Sequence, residues 1–309
     1  MLFLQFVRQV TGGIFDAFFL QCSDFGMYTP IMVIIAAIYW CLDKKLGEYL
    51  LVSQVGSSLV NGFMKVTACI YRPWILDSRV HPVKEAIAAA TGYSFPSGHT
   101  TGATSLFGGL ALRGKFSKAL TIALILCVVL VGFSRLYLGV HSILDVIFGV
   151  VFTVIVLLIF SKLFDMLEEK PNLDIVISCI GIIISILVVV YAMTKSYPMD
   201  YDSAGRLIVD PAIMAIDTIR DSGLPITVFA CWPIERRFIK FSTEGSLETK
   251  FTRFIFGVIL IFLIQTVSFP FIGNSVLVDF IKNCILGSFM MIIYPAVFNY
   301  FQNRSTDKS

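Results

Sequence analysis

Charged residues are scarce in this chain: Lys, Arg, Asp and Glu make up 15% of its 309 residues, against 57% hydrophobic ones. Soluble domains carry roughly 25% charge, so the composition excludes a soluble globular protein. Period-2 alternation is missing from the apolar runs, which excludes a transmembrane β-barrel. The cysteines at 22, 41, 69, 127, 179, 231 and 284 never form a Cys-x-x-Cys pair. No zinc or redox motif results, and they read as small buried hydrophobes. No group of Asp and Glu stands ready for magnesium, so no metal or other cofactor is expected. The net charge of +3 is spread over loops, leaving no basic face for a nucleic acid. The first 20 residues hold Arg8 and Asp16 and lack a basic n-region, so no cleavable signal is expected.

What the chain has instead is apolar length. Several nearly charge-free stretches approach 20 residues, enough to cross a hydrocarbon core of about 30 Å. The fold class is all-α: a polytopic transmembrane helix bundle, the form in which a chain satisfies its own backbone in lipid. Nine spans are expected, near 25–42, 47–69, 97–112, 119–137, 142–163, 174–194, 212–234, 254–272 and 276–300. Residues 1–24, with Phe3, Phe6, Phe15, Phe18 and Phe19, suit an interfacial amphipathic helix. Residues 25–170 form the part that carries the polar motifs. Residues 171–309, beginning after Glu168-Glu169-Lys170-Pro171, add further spans.

Alternate loops collect cations: Lys44 and Lys45; Arg113, Lys115 and Lys118; Lys162 and Lys170; Arg236, Arg237, Lys240, Lys250 and Arg253; then Arg304 and Lys308. That richer side is expected in the cytoplasm. The motifs then open on the extracytoplasmic face of a multi-pass protein of the plasma (inner) membrane. With an odd number of spans, the N-terminus is expected outside and the C-terminus inside. Asp217 and Arg220 share an i,i+3 spacing and are expected to pair on one helix rather than to extend a site.

Against this apolar background three stretches concentrate polar groups: Lys65-x6-Arg72-Pro73, Pro96-Ser97-Gly98-His99 and Ser134-Arg135-x5-His141-x3-Asp145. Polar groups in or beside membrane spans are costly and usually functional. The seven-residue gap from Lys65 to Arg72 is nearly two helical turns, so both are expected on one helix face, with Pro73 stopping the helix. Pro96 and Ser97 suit a helix start and cap. Free N–H groups there attract an anion, and Gly98 lets it approach the backbone. His141 and Asp145 lie i,i+4, so the carboxylate can fix the ring and leave the other nitrogen as base or nucleophile. Lys65, Arg72 and Arg135 supply the positive charge a phosphoryl group needs. His99 is placed to give a proton. His81, between Arg79 and Lys84, reads as a solvated loop residue.

The three motifs together resemble the type 2 phosphatidic acid phosphatase superfamily, whose pattern they match at every position between about 45 and 165. That resemblance implies a six-helix core with about three spans added. It also implies a phosphoric monoester or diphosphate hydrolase that uses no metal and passes through a phosphohistidine. By the same resemblance His141 is the nucleophile, Asp145 its orienter and His99 the acid for the leaving group. Lys65, Arg72, Ser97, Gly98 and Arg135 hold the phosphate. The expected substrate is a lipid phosphate or polyprenyl diphosphate in the bilayer. The span count and outside N-terminus are also similar to glucose-6-phosphatase, which leaves a soluble phosphoester open. A phospho- or headgroup transferase and a non-enzymatic lipid transporter are the other readings. Selectivity is expected in the 74–95 loop and on the later spans.

Overall fold

Long apolar runs fold here as helices, the 211–234 segment even through Pro225 and Pro233, since each helix satisfies most of its own backbone polar groups without water. A computed structural model describes residues 2–266 and 275–306 of the chain, with side chains to residue 302. In order, the helices are α1 (Leu2–Val10), α2 (Asp16–Asp24), α3 (Tyr28–Ala37), α4 (Lys44–Ala68), α5 (Pro73–Leu76), α6 (Lys84–Ile87), α7 (Gly98–Ala103), α8 (Gly109–Arg113), α9 (Lys118–Tyr137), α10 (Ile143–Glu169), α11 (Leu173–Thr194), α12 (Pro211–Ile234), α13 (Leu247–Thr266), α14 (Val276–Ser288) and α15 (Tyr294–Thr306). Single π-helical turns extend α3 and α12, join α7 to α8 and join α14 to α15. Among the described residues the sole β feature is a bridge between Tyr201 and Leu207.

Each of the nine expected spans falls on a helical segment, which makes this an all-α polytopic bundle. Positions 267–272 of the eighth expected span lie outside the described residues. Among the described residues, four helical stretches are both long and apolar enough to cross a membrane: 118–137, 143–169, 173–194 and 276–302. A fifth would be α2 with the α3 segment, bent by 49°. Three of the remaining segments fall short for visible reasons. α4 carries Lys44, Lys45, Glu48, Gln54, Asn61 and Lys65, α12 carries Asp217, Arg220 and Asp221, and the 98–113 segment is short.

The chain divides into two units. The first contains residues 1–31, 57–159 and 191–215 and includes all three motifs. Its helix starts are set by side-chain caps: Ser97 accepts from the Thr100 N–H, and Ser117 from the Leu120 N–H. α1 folds onto α2 through Arg8, whose Nε donates to both oxygens of Asp16 at 3.0 Å. Arg8 also donates to the His81 carbonyl at 2.6 Å, and the His81 N–H donates to Gln5 at 3.1 Å. The His81 ring stays exposed, as its loop position predicts. α2 lies along α9, with the Phe19 ring 4.3 Å from Tyr137 and 5.4 Å from Phe133. The outer face of α1 presents Phe3, Phe6 and Val10.

The second unit contains residues 32–56, 160–190 and 216–309. Its interior holds three buried carboxylates, Glu48, Asp174 and Glu235, all at most 3% exposed. None is left alone. Lys44 reaches Glu235 at 2.6 Å, and Arg236 reaches Glu48 at 3.0 Å and Asp174 at 3.1 Å. Arg237 grips Asp174 with two 2.8 Å bonds, and the Trp232 indole donates to Glu48 at 3.2 Å. Nearby, Gly257 lets a helix approach Trp40, because a Cβ there would sit 2.3 Å from the indole ring. Arg220 pairs with Asp217 at 2.9 Å, as the i,i+3 spacing predicts, and with Asp221 at 2.9 Å.

Removing one partner of a buried ion network leaves the others uncompensated, a loss of about 3–5 kcal/mol, whereas an exposed pair contributes about 0–1 kcal/mol. Asp174→Ala is therefore expected to lower the thermal unfolding midpoint in detergent strongly. Lys45→Ala, which removes the exposed Lys45–Glu168 pair at 3.2 Å, is expected to leave it nearly unchanged.

Candidate active site

The first motif is built differently from the expectation that one helix face carries both cations. α4 ends at Ala68, and Cys69 takes a left-handed conformation with φ 49°. That reverses the chain after Lys65, so Arg72 lies beyond the helix, in extended backbone just before Pro73. A left-handed residue commonly ends a helix, though glycine usually fills that place. Here the turn is tied down from outside: Lys195 donates to the Val66 carbonyl and contacts the Cys69 Sγ at 3.1 Å. Pro73 starts α5 rather than stopping α4, a role its fixed φ suits. Lys65 and Arg72 still reach a common site, by a turn of the chain and not by helical periodicity.

Arg72 is 4% exposed and holds the site together. Its Nη2 donates to the Thr91 carbonyl at 2.7 Å and its Nε to the Gly92 carbonyl at 3.1 Å. Its Nη1 donates to the Val140 carbonyl at 3.1 Å and to His141 Nε2 at 2.9 Å. A guanidinium has no lone pair to offer. Nε2 must therefore accept, which assigns the ring proton to Nδ1. Nδ1 in turn lies 3.5 Å from Asp145 Oδ2 and 3.3 Å from the Ser94 hydroxyl. The Nε2 lone pair of His141 thus points at a cation, and the carboxylate stands behind the ring.

Asp145 is fixed by its own helix start. Ser142 Oγ accepts from the Asp145 N–H at 3.2 Å, while Asp145 Oδ2 accepts from the Ser142 N–H at 2.6 Å. This is a reciprocal capping arrangement at the head of α10. His141 is almost fully buried. Burial, followed by Arg72, Arg135, Lys65 and His99 around it, pushes its pKa well below the usual value. Burial also pulls Arg72 down to about 10, against the opposing influence of Asp145. Arg72 stays charged at neutral pH.

The second motif forms a helix start, as its sequence predicts. Ser97 is the cap of α7, fully buried, and accepts from the Thr100 N–H at 3.4 Å and the Thr100 hydroxyl at 2.9 Å. Its own proton remains to be donated. Gly98 faces open space, since a Cβ there would meet only Asn61 Oδ1, at 3.9 Å. A bulky anion can therefore come against the backbone at this turn. His99 sits on the same turn, half-buried, in electrostatic reach of Arg135, Arg72 and Lys65. Lys65 donates to the carbonyls of Tyr93 at 3.1 Å and Pro96 at 3.4 Å.

Arg135 is 1% exposed and donates through Nη1 to Ser23 at 2.5 Å, while its Nε and Nη2 have no protein partner. Buried donors without acceptors are costly. An oxyanion is the partner that guanidinium geometry fits best. All eight residues expected from the motifs belong to the same unit. Four others were not legible in the sequence. Ser94 and Ser23 touch Asp145 and Arg135. Asn61 donates to Thr101 at 2.9 Å and to the Pro96 carbonyl at 3.4 Å. Lys195 secures the turn after α4. A lone Ser in a loop has no spacing that marks it. Asn61 does lie one turn before Lys65 on α4, and that was its only signal.

In protein carrying isotope-labelled histidine, the His141 ring is expected to keep neutral nitrogen shifts down past its ordinary value of 6.5. The charged ring is disfavoured in the fold, so protonation comes only as pH falls further. NMR titration checks this, and a midpoint above 6.5 would contradict the burial argument.

Comparison with known proteins places this geometry. Residues 47–169 match the family model described as PAP2 superfamily. Residues 222–305 match the one described as PAP2 superfamily phosphatase, transmembrane extension. Sphingosine-1-phosphate phosphatase 1 of Rattus norvegicus is 32% identical over 159 residues, 49% of this chain and 36% of that protein. The chain therefore spans little more than a third of that relative's length. Undecaprenyl-diphosphatase BcrC of Bacillus subtilis is 24% identical over 169 residues, 53% of this chain and 82% of that protein. Phosphatidylglycerophosphatase B of the same species is 32% identical over 128 residues, 39% of this chain and 59% of that protein. No solved structure matches the chain. The three motifs, the all-α membrane bundle that carries them and two family matches in consecutive parts of the sequence agree: the chain carries a PAP2 superfamily domain followed by that superfamily's transmembrane extension.

Proposed function

We propose that this protein is a membrane phosphatase that hydrolyses a lipid phosphate or polyprenyl diphosphate by way of a phosphohistidine. The observation that carries the reading is the neutral His141 ring. Its Nε2 lone pair is aimed at the Arg72 guanidinium 2.9 Å away, and its other nitrogen faces Asp145. A phosphoryl group drawn between Arg72 and the two unpartnered donors of Arg135 meets that lone pair. Nε2 attacks phosphorus and the bond to the leaving oxygen breaks. The leaving oxygen takes a proton from His99. Lys65, Ser97 and the N–H groups above Gly98 stabilise the charge on the remaining oxygens. In this scheme the cations do the work that a metal does in other phosphatases.

The site is proposed to open on the extracytoplasmic face, because the cations of the sequence collect in the alternate loops that do not carry the motifs, and cation-rich loops favour the cytoplasm. The motif-bearing stretch 25–170 supplies the chemistry in this reading. Residues 171–309 complete the bundle, and residues 1–24 lie at the interface. The relatives named for sphingosine-1-phosphate, undecaprenyl diphosphate and phosphatidylglycerophosphate support a lipid-borne phosphate as the substrate class.

Two substitutions test the scheme. His141→Ala, made in a host lacking other phosphatases, is expected to release no phosphate from phosphatidate, undecaprenyl diphosphate or sphingoid phosphates in a release assay. Retained turnover would eliminate the mechanism. His99→Ala is expected to slow release of the leaving group in the first turnover by about 10²–10⁴-fold on alkyl phosphates. On p-nitrophenyl phosphate, whose leaving group needs no proton, the first-turnover burst should be slowed far less. Equal losses of burst rate on both would remove His99 from the acid role.

A further inference from the structure

Ser94 lies outside the three motifs but touches two of the catalytic groups. Its side chain is 1% exposed. Its hydroxyl donates to Asp145 Oδ2 at 2.6 Å and lies 3.3 Å from His141 Nδ1. Its position is fixed from the backbone, where its N–H donates to the Ile70 carbonyl at 2.7 Å. Three groups thus compete for one carboxylate oxygen. The Ser94 hydroxyl and the Ser142 N–H both sit at 2.6 Å, while His141 Nδ1 stands at 3.5 Å. The imidazole has the weakest hold, at the outer limit of a hydrogen bond.

That order has a chemical consequence in a two-step displacement, and the inference therefore rests on the phosphohistidine reading above. In the first step Nε2 forms its bond to phosphorus, and the phosphorus–oxygen pair departs with the leaving group. In the second step a water oxygen attacks the same phosphorus and gives its proton to His99. The phosphorus–Nε2 bond breaks and its electron pair returns to the ring. Between the steps the ring carries positive charge and a proton on Nδ1. The more strongly Asp145 stabilises that charge, the more slowly Nε2 departs. Donors that bind the carboxylate weaken its pull on the ring.

We propose that Ser94 is a positioning residue that moderates Asp145, keeps His141 a good leaving group, and so sets the rate at which the phosphohistidine is hydrolysed. The charged and titratable groups facing His141 from the surrounding elements are Arg72, Arg135 of α9, Lys65 of α4, His99 of α7 and Asp145 of α10. All of them remain when Ser94 is changed. A change in ring basicity on substitution is then assigned to the hydroxyl.

The test uses the full chain in detergent micelles with radiolabelled phosphatidate. Alkaline quenching preserves phosphohistidine during turnover. Ser94→Ala is expected to raise the steady-state labelled fraction and lower kcat, each at least about fivefold, the factor that one ordinary hydrogen bond represents. The acid limb of its kcat/KM profile should move to higher pH, because an unmoderated Asp145 holds the protonated ring more firmly. Ser94→Thr, which restores the hydroxyl, should return both values towards wild type. If the alanine protein does not fold, Ser94→Cys, a weaker donor of similar size, should show the same direction at smaller amplitude. A labelled fraction that stays level or falls while wild type labels normally would overturn the role of Ser94. Absence of label from wild-type protein that still releases phosphate would overturn the phosphohistidine reading, and with it this inference.

Discussion

The Arg72 guanidinium holds three separate stretches of chain at one point. Its donors reach carbonyls at Thr91, Gly92 and Val140 as well as the ring of His141. Each of those carbonyls lies in irregular backbone, which in an apolar bundle must find partners within the protein. One side chain meets that need for two loops and orients the His141 ring as well. Lysine could not replace it, because a single ammonium cannot direct bonds along the several fixed directions of a guanidinium.

Around that point the charges are unbalanced. Lys65, Arg72 and Arg135 converge on two histidines, while Asp145 is the one carboxylate among the residues the motifs bring together. Like charges gathered in a dry interior oppose folding, and the backbone carbonyls offset only part of this. The second unit shows the contrasting solution. There Glu48, Asp174 and Glu235 meet Lys44, Arg236 and Arg237 in equal number, although the second oxygen of Glu235 has no hydrogen-bond partner. The balance of charge in one unit and its excess of cations in the other is the difference between the two clusters.

Much of this was legible in the sequence. Continuous apolar runs announce helices, and each of the nine expected segments is mainly helical over its described residues, because nothing in lipid competes with the intrahelical hydrogen bond. The eight motif residues also gather in one unit. Ser97 capping α7 follows from local chemistry, and so does the Asp217–Arg220 pair. The break in α4 was not legible. A left-handed Cys69 violates local preference and persists because Lys195, more than a hundred residues away, secures the turn. Ser23 and Ser94 escaped notice for a related reason. Their roles come from contacts across long stretches of chain, and a serine's identity alone does not announce such a partner. The count of spans was legible only in part, because α4 and α12 carry polar residues that depress their apolar character.

The unpartnered donors of Arg135 also bear on the end of the proposed reaction cycle. Nε and Nη2 would not distinguish a phosphate carrying a lipid from one that has lost it. After the second proposed step, inorganic phosphate would meet the same cations with one more ionisable oxygen than before. A cradle strong enough to draw in a phosphate ester would then also be a trap for its own product. Under the proposed scheme, turnover would be governed as much by phosphate departure as by bond breaking, with free phosphate as a brake.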